Sequence, residues 1–180
     1  RTELTPQILL RAYADGFFTM AEVQRISGEE GNFDVLIKLA PRYVNEKCTA
    51  CGKCAEACSM EIDNPFNYGM DRVKAAYLPH DMAFPARYVL DPALVKSAEA
   101  QKVKESCPYD AIELDMAPKT LELKAGAVVW STGWQPYDAT KLDTYGFRQY
   151  PDVITNVMME RLAAPNGPTQ GKILRPSDGK

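Results

Sequence analysis

The sequence predicts an α+β fold in which a cysteine-rich segment lies between two β-rich flanks. Two runs near the start, "EVQRIS" and "FDVLIKL", alternate partly between apolar and polar residues and are separated by the turn formers "GEEGN". Four of the five cysteines fall within eleven residues, from Cys48 to Cys58. The later stretch "DPALVKSAEAQKVKES" is rich in helix formers. Strands, clustered thiols and a helix are therefore expected in one small protein.

The first flank is predicted to consist of strands. "ILLRAY" is a short apolar strand, and "EVQRIS" and "FDVLIKL" form a hairpin that Pro41 ends. Residues 64–92 carry four prolines and several aromatic residues, which indicates an ordered but irregular connection. A helix is predicted to follow, with Asp91 as its N-cap and Pro92 in its first helical position.

The second flank is predicted to contain a hairpin and a helix. "TLELKAGAVVWSTGW" has the pattern of a strand that turns at residues 124–126 into a second, fully buried strand. "YPDVITNVMMERLAAPNGP" shows a helical apolar pattern that stops at Pro165 and Gly167. β structure is therefore expected on both sides of the cysteine segment, as if a small module were inserted into a larger framework.

The composition argues against several classes of function. The chain has 180 residues, of which 46% are hydrophobic, and a formal net charge of −3. A weakly acidic chain has no electrostatic attraction for nucleic acid or for an anionic membrane. No apolar run approaches the roughly 20 residues of a transmembrane helix, and the opening "RTELTPQ" lacks both an initiator methionine and a signal-peptide pattern. We therefore expect a cytoplasmic piece of a longer protein, with no nucleic acid partner and no direct membrane insertion.

The spacing of the cysteines predicts an iron–sulfur site. Cys48, Cys51, Cys54 and Cys58 follow C-x2-C-x2-C-x3-C, a run that is typical of bacterial ferredoxins. Three cysteines at this spacing can wrap one side of a cluster. The fourth ligand has to come from elsewhere, because the chain has by then entered a helix that points away. In two-cluster ferredoxins the last cysteine of each motif ligates the other cluster.

The second motif of such a ferredoxin is present only at its end. Cys107 and Pro108 match that end, but the three earlier ligand positions hold Ser97, Ala100 and Val103. One [4Fe–4S] cluster is therefore expected, because the second site has lost three ligands while the cysteine that it exports remains. The predicted ligands of that cluster are Cys48, Cys51, Cys54 and Cys107.

The exchange of last cysteines between the two motifs leaves Cys58 without a metal. Three alternatives to this ligand set stay open. Cys58 can replace Cys107 as the fourth ligand. A structural zinc ion can replace the cluster, although zinc sites usually show two separated C-x2-C pairs or added histidines, and His80 is the single histidine here. The thiols can also be purely structural. An apolar shell around the cluster is expected from Val44, Ile62, Tyr109 and Ile112.

A weaker signal concerns a flavin. "VVWSTGW" resembles the strand-end turn of flavin-dependent oxidoreductases, in which Thr132 and Gly133 would pass close to FAD. The alternative is a buried strand that ends in Thr-Gly for structural reasons alone. No G-x-G-x-x-G is present, so the phosphate-binding half of a dinucleotide site is missing from this chain. The chain also shows no nucleophile–base pair and no complete catalytic site, so any enzyme activity would belong to a larger oxidoreductase complex.

Taken with these motifs, the chain resembles the A subunit of heterodisulfide reductase and the related subunits of the quinone-interacting membrane-bound oxidoreductase. The matching stretches span nearly the whole chain. They are "GNFDVLIKLAPRYVNEKCTACGKCAEAC", "YVLDP", "CPYDAIELD", "STGWQPYD", "YPDVITN" and "GKILRPSDGK". The resemblance implies a ferredoxin-like iron–sulfur insert in a thioredoxin-reductase-like flavin domain, with FAD in the full-length parent.

This resemblance sets the expected organisation and role. Residues 1–42 are expected to be a β-rich part of the flavin domain, residues 43–117 the one-cluster ferredoxin-like domain, and residues 118–180 the remaining part of the flavin domain. The expected function is to relay single electrons between the flavin and other subunits of a redox complex. The alternative is an interaction module in which zinc only staples the fold.

Overall fold

The computed structural model describes residues 17–180 and shows a protein that mixes helices and strands. The α+β class is confirmed, whereas the ferredoxin-like and flavin-domain assignments stay predictions. Within residues 17–180 the strands are β1 (Ala21–Glu29), β2 (Asn32–Leu39), β3 (Glu61–Asp63), β4 (Arg72–Lys74), β5 (Ala76–Tyr77), β6 (Val89–Leu90) and β7 (Lys119–Ala125). The α-helices of the same range are α1 (Lys53–Ala57), α2 (Pro92–Val95), α3 (Ala100–Glu105) and α4 (Asn156–Ala163). The predicted strand "ILLRAY" lies outside the described residues.

An antiparallel sheet is formed by three strands in the order β1–β2–β7. The predicted hairpin of "EVQRIS" and "FDVLIKL" is confirmed as β1 and β2. Alternate residues of β2 face one side of the sheet, where Val35 and Ile37 are buried and lie opposite Leu123 and Leu121 of β7. The partial alternation predicted for "FDVLIKL" therefore corresponds to the more buried and the more exposed side of β2.

A bulge in β1 keeps its apolar side chains on this inner face. The register between β1 and β2 shifts between Val23 and Arg25, so that Val23 lies opposite Ile37 and Ile26 opposite Val35. Val23 and Ile26 are three residues apart, and strict alternation would put them on opposite faces. The extra residue restores the phase, and both side chains pack against the core of the sheet.

The buried strand predicted after residues 124–126 is wrong. β7 pairs with β2 rather than with the residues that follow it, and no strand forms between Gly126 and Trp134. Val129 and Trp130 are 82% and 57% exposed. An apolar run becomes a buried strand only where a neighbouring strand pairs with it and another layer covers it. Within residues 17–180 this run has no pairing strand.

The cysteine segment is built from short elements. α1 follows the C-x2-C-x2-C loop, and β5 pairs with β6 so that Ala76 lies opposite Leu90. β3 pairs with β4. The connection predicted to be irregular thus contains β4, β5 and β6, each only two or three residues long. These ladders are too short to show a periodic pattern in the sequence.

The single helix predicted from Asp91 onward is wrong, although its start is correct. The Asp91 side chain accepts a hydrogen bond from the Ala93 N–H at 2.7 Å, with Pro92 at the first position of α2. The helix then breaks before α3. The Ser97 hydroxyl donates to the Leu94 carbonyl at 2.7 Å and accepts from the Glu99 N–H at 3.2 Å. Serine competes in this way with the helical hydrogen bonds of the backbone.

The C-terminal part of the chain contains the predicted helix. α4 begins at Asn156 after Thr155, whose hydroxyl accepts from the Met158 N–H. Two 3-10 turns, Ala139–Lys141 and Asp143–Tyr145, precede it. The guanidinium of Arg161 lies 4.4 Å from the centroid of the Phe66 ring, and its Nε donates to the buried Asn67 at 2.9 Å. The segment of residues 62–73 is therefore held to α4.

Two units follow from the contacts between residues. One contains the described residues up to Glu61 together with Lys74–Gly133, and the other contains Ile62–Val73 and Trp134–Lys180. All five cysteines lie in the first unit. The predicted boundaries of a flavin domain and an insert stay predictions. In the described part of the chain, no helix is both long enough and apolar enough to cross a membrane.

Candidate metal centre

A hollow in the first unit brings together Cys48, Cys51, Cys54 and Cys107. The lining comes from residues 44–54, from residues 107–112 and from a tyrosine just before β6. The full set is Val44, Cys48, Thr49, Cys51, Gly52, Lys53, Cys54, Tyr88, Cys107, Tyr109, Ala111 and Ile112. Three residues of the expected apolar shell are in this set, and Ile62 is not.

The loop before α1 turns its cysteines toward the hollow through two left-handed residues. Ala50 has φ +55° and Gly52 has φ +83°. The Gly52 carbonyl then accepts from the Ala55 N–H at 3.0 Å, which begins α1. A left-handed residue redirects the chain within a few positions, and glycine adopts this conformation without strain. The tight turn therefore lets cysteines three residues apart line the same hollow.

Cys107 reaches the hollow from a distant part of the chain. It follows α3, where its N–H donates to the Lys104 carbonyl at 3.1 Å. A short ladder fixes the chain beyond it: Val44 and Ile112 form an antiparallel bridge, and the Asn45 N–H donates to the Ala111 carbonyl at 2.8 Å. The segments before the cysteine loop and after Cys107 are therefore joined by backbone hydrogen bonds.

Backbone N–H groups are directed at two of the sulfur atoms. The Ala50 N–H donates to Cys48 Sγ at 3.5 Å, and the Ala111 N–H donates to Cys107 Sγ at 3.4 Å. Bonds of this kind stabilise thiolate charge and are among the features that set the reduction potential of an iron–sulfur cluster. Each of the two segments that supply thiols, the loop before α1 and the chain after α3, therefore has one hydrogen bond from a backbone N–H to a sulfur atom.

Burial makes the Cys54 thiol a poor acid. It raises the pKa of Cys54 to about 12; the Ala55 N–H partly offsets this rise, and the charges of Cys48 and Cys51 add to it. A thiol ligates metal as the thiolate, so metal binding has to displace this proton. A strongly bound cation supplies the compensation, because its charge reverses the local electrostatics.

The fifth cysteine lies at a different kind of place. Cys58 is buried but does not line the hollow, and its thiol donates to the Met60 carbonyl at 3.4 Å. Next to it, the Glu99 carboxylate accepts from the N–H groups of Ser59 and Met60. Hydrogen bonding to Ser59, and then to Met60, holds the pKa of Glu99 below its usual value. The chain at Cys58 is thus fixed by protein hydrogen bonds.

The positions of the missing second motif are filled by packing. Val103 is completely buried and Ala100 is nearly so, while Ser97 makes the hydrogen bonds that break the helix. α3 packs against α1, and the Ser106 hydroxyl donates to the Lys53 carbonyl at 3.4 Å. Aliphatic side chains and a helix break therefore stand where a second cluster would need thiols.

The donors around the hollow are thiols, which are the ligands that an iron–sulfur cluster takes. Within residues 17–180, no group of three or more His, Cys, Asp or Glu side chains converges on a position for one ion. A tetrahedral zinc ion draws its thiolates to about 2.3 Å from one point. A [4Fe–4S] cage is instead ligated at four separate corners by four cysteines. The hollow offers four thiols, which is the number of ligands that such a cluster takes.

Two residues near the hollow were missed by the sequence analysis. Tyr88 lines the hollow, and its hydroxyl lies 3.5 Å from where a Cβ on Gly52 would stand. Burial, and after it the charges of Cys54 and Cys51, raise the pKa of Tyr88, so the phenol is protonated at neutral pH. Arg42 is buried and holds the chain on both sides of Tyr88. Both residues lie in stretches that carry the resemblance, but no spacing in the sequence connects Tyr88 with the cysteines, and only the fold brings it to them.

The residues predicted to approach FAD lie on the exposed run after β7. Thr132 and Gly133 are exposed, and nothing lies within 4 Å of a Cβ added to Gly133. Gly133 does have φ +60°, so the chain turns there. No strand leads into that turn, and the flavin contact stays a prediction.

Comparison with known proteins gives a consistent set of relatives. No protein-family model matches the chain. The chain is 43% identical over 163 residues to one of the iron–sulfur A subunits of CoB–CoM heterodisulfide reductase from Methanopyrus kandleri, covering 90% of this chain and 24% of that protein. The resemblance to the A subunit of heterodisulfide reductase is confirmed.

Other A subunits of heterodisulfide reductases agree. The chain is 41% identical over 165 residues to the A subunit of the ferredoxin:CoB–CoM heterodisulfide reductase of Methanosarcina mazei, covering 91% of this chain and 21% of that protein. It is 40% identical over 163 residues to the iron–sulfur A subunit of the CoB–CoM heterodisulfide reductase of Methanocaldococcus jannaschii, covering 90% and 24%. The chain therefore spans about a quarter of the length of the A subunits that it matches.

Proposed function

We propose that the chain is the electron-transfer part of an oxidoreductase like the A subunit of heterodisulfide reductase and holds one [4Fe–4S] cluster. The proposal rests first on the relatives, two of which are named iron–sulfur subunits of heterodisulfide reductase. It rests second on the hollow, in which thiols from two distant segments face one space. When bound, a [4Fe–4S] cluster supplies one-electron redox chemistry.

The hollow is the observation that carries the ligand assignment. Its four cysteines are the proposed ligands: Cys48, Cys51, Cys54 and Cys107. Cys58 has the right spacing in the sequence, but its thiol donates to the Met60 carbonyl and lies outside the lining. A thiol outside the cage does not ligate the cluster, so the proposal leaves Cys58 without iron.

The protein's own part is to hold thiolates, to exclude water and to leave one side open. The Ala50 and Ala111 N–H groups stabilise charge on the sulfur atoms of Cys48 and Cys107. Two buried residues, Val44 and Ile112, form a dry wall. The lining residues Cys51 and Tyr109 are exposed, so the hollow reaches the surface on their side. An electron carrier can approach the site there.

The rest of the proposed relay lies in the longer protein. FAD, with a contribution from Thr132 and Gly133, would exchange electrons with the cluster, and other subunits would complete the path. Two relatives are named as A subunits of reductases whose names also include ferredoxin, which supports partner subunits. A cytoplasmic location belongs to the same proposal.

The first experiment compares two cysteine variants of the chain, purified without oxygen. Cys107→Ser removes a proposed ligand, whereas the matched control Cys58→Ser removes the thiol outside the hollow. We expect Cys107→Ser to lose or degrade the cluster, measured as visible absorbance and as iron and sulfide per chain. We expect Cys58→Ser to keep the values of the unchanged protein.

Two outcomes would contradict the proposal in different ways. Loss of the cluster in Cys58→Ser with retention in Cys107→Ser would overturn the ligand assignment but keep the relay. A colourless unchanged protein with zinc and no sulfide would overturn the relay itself and favour the stapled interaction module.

A further inference from the structure

Tyr88 contributes a polar group to the wall of the hollow. Its side chain is half-buried, and its hydroxyl lies over Gly52, the residue directly after Cys51. A Cβ on Gly52 would come to 3.5 Å from the phenol oxygen. The hydroxyl of Tyr88 is therefore next to the backbone that carries two of the proposed ligands, Cys51 and Cys54.

A buried arginine fixes the chain on both sides of Tyr88. Arg42 is 8% exposed, and its Nη1 donates to the Arg87 carbonyl at 2.8 Å. The Arg42 carbonyl accepts from the Leu90 N–H at 3.2 Å. The Nη2 group of Arg42 also donates to the Thr19 hydroxyl at 2.6 Å, which fixes the guanidinium. Tyr88 thus lies between two hydrogen bonds to one anchored residue.

The same arginine is connected to the segment that follows Cys107. Two residues after Arg42, Val44 lines the hollow and bridges to Ile112. Between Arg42 and Val44, the Tyr43 carbonyl accepts from the Glu113 N–H at 3.0 Å. One short stretch of chain therefore fixes both Tyr88 and the residues beyond the fourth proposed ligand.

We propose that Tyr88 donates a hydrogen bond from its phenol to a sulfur atom of the cluster site and so raises the reduction potential, with Arg42 as its positioning residue. This inference rests on the proposed function. A donor near sulfur stabilises the reduced cluster more than the oxidised one, because the reduced cluster carries one more negative charge. The bond is strong in a half-buried site, where the effective dielectric constant is low.

The test is the reduction potential of Tyr88→Phe in the protein with its cluster assembled. The change removes one oxygen atom and keeps the ring, so iron and sulfide per chain are expected to stay unchanged. At a fixed ambient potential near the midpoint, the ratio of reduced to oxidised cluster is expected to fall about threefold. For a one-electron couple this equals a shift of about 28 mV to more negative potential.

A second tyrosine of the hollow supplies the matched control. Tyr109 also lines the hollow, but it is 47% exposed, so water can replace its hydroxyl. We expect Tyr109→Phe to shift the potential less than Tyr88→Phe does. An equal shift in Tyr109→Phe would overturn the assignment to Tyr88, since any phenol of the hollow would then have the same effect.

The role of Arg42 is tested by a double-mutant cycle. Arg42→Gln is expected to lower the potential in the same direction, and the double variant with Tyr88→Phe is expected to show no further shift. If Arg42→Gln does not fold, the Tyr88→Phe measurement still decides the main proposal. Additive shifts would overturn the positioning role of Arg42.

The remaining outcomes separate this inference from the function on which it rests. An unchanged potential in Tyr88→Phe, with full iron and sulfide, would overturn the hydrogen bond and leave the electron relay intact. An unchanged protein that holds no iron and no sulfide would overturn both.

Discussion

The cysteines at the two ends of the C-x2-C-x2-C-x3-C motif have different surroundings in the structure. At one end, Cys48, Cys51 and Cys54 face a hollow that Cys107 completes, and backbone N–H groups donate to two of the sulfur atoms. At the other end, Cys58 is buried outside that hollow, and the N–H groups of the two residues after it donate to a glutamate. Cysteines of one spacing motif therefore lie in two different environments, one in the hollow and one outside it.

This difference shows that spacing alone does not identify a metal ligand. A thiol becomes a ligand where space, further thiols and charge compensation coincide. The hollow offers space and further thiols, whereas the end at Cys58 offers packing and backbone hydrogen bonds. Positions 97, 100 and 103 hold no thiols, and two of them carry buried aliphatic side chains, Ala100 and Val103.

The largest effect on stability is expected for a core residue close to positions 97, 100 and 103. Leu94 is completely buried, and its carbonyl accepts from the Ser97 hydroxyl. Leu94→Ala is expected to lower the free energy of unfolding by about 2–5 kcal/mol, because it removes apolar contacts and leaves a cavity. Urea unfolding followed by circular dichroism measures this.

The matched control Leu142→Ala, at a residue 41% exposed, is expected to change stability far less. Equal losses in the two variants would show that Leu94 is not part of a packed core.

A smaller effect on stability is expected for alanine at either of two glycines. Comparing the two variants separates the cost of backbone strain from the effect of contact with the hollow. Gly52 and Gly31 have nearly the same φ, +83° and +85°, so alanine is expected to cost about 1–2 kcal/mol of stability at either position. The two sites differ in their surroundings, because Tyr88 lies beside Gly52 and nothing lies within 4 Å of a Cβ on Gly31. We therefore expect Gly52→Ala alone to change the visible spectrum or the reduction potential. A change of the visible spectrum in Gly31→Ala as well would show that contact with the hollow is not the cause of the change.

Local signals in the sequence were sufficient for several elements. The alternation in "FDVLIKL", the Asp91 cap and the stop after α4 each depend on residues a few positions apart, and each is present in the structure. The position of Cys107 in the hollow agrees with what the ferredoxin exchange rule predicts, although ligation itself stays a prediction. Where an interaction is local or has a known spacing, sequence reasoning reaches it.

Other features depend on partners that are distant in the chain. β7 pairs with β2, and no spacing in the sequence indicates that choice over the predicted hairpin. The hydrogen bond from Arg42 to the Arg87 carbonyl joins residues 45 positions apart, so the sequence could not connect Tyr88 with the cysteines. The break at Ser97 was missed because helix propensity ignores a hydroxyl that bonds its own backbone.

The number of iron and sulfide ions per chain tests the central claim most directly. The protein would be purified without oxygen, and iron, acid-labile sulfide and zinc would be counted against protein concentration. One hollow with four thiols predicts four iron and four sulfide ions per chain, because one [4Fe–4S] cluster takes four cysteine ligands. Two iron and two sulfide ions per chain would show that the hollow holds a smaller cluster, and zinc without sulfide would show that it holds no iron–sulfur cluster at all.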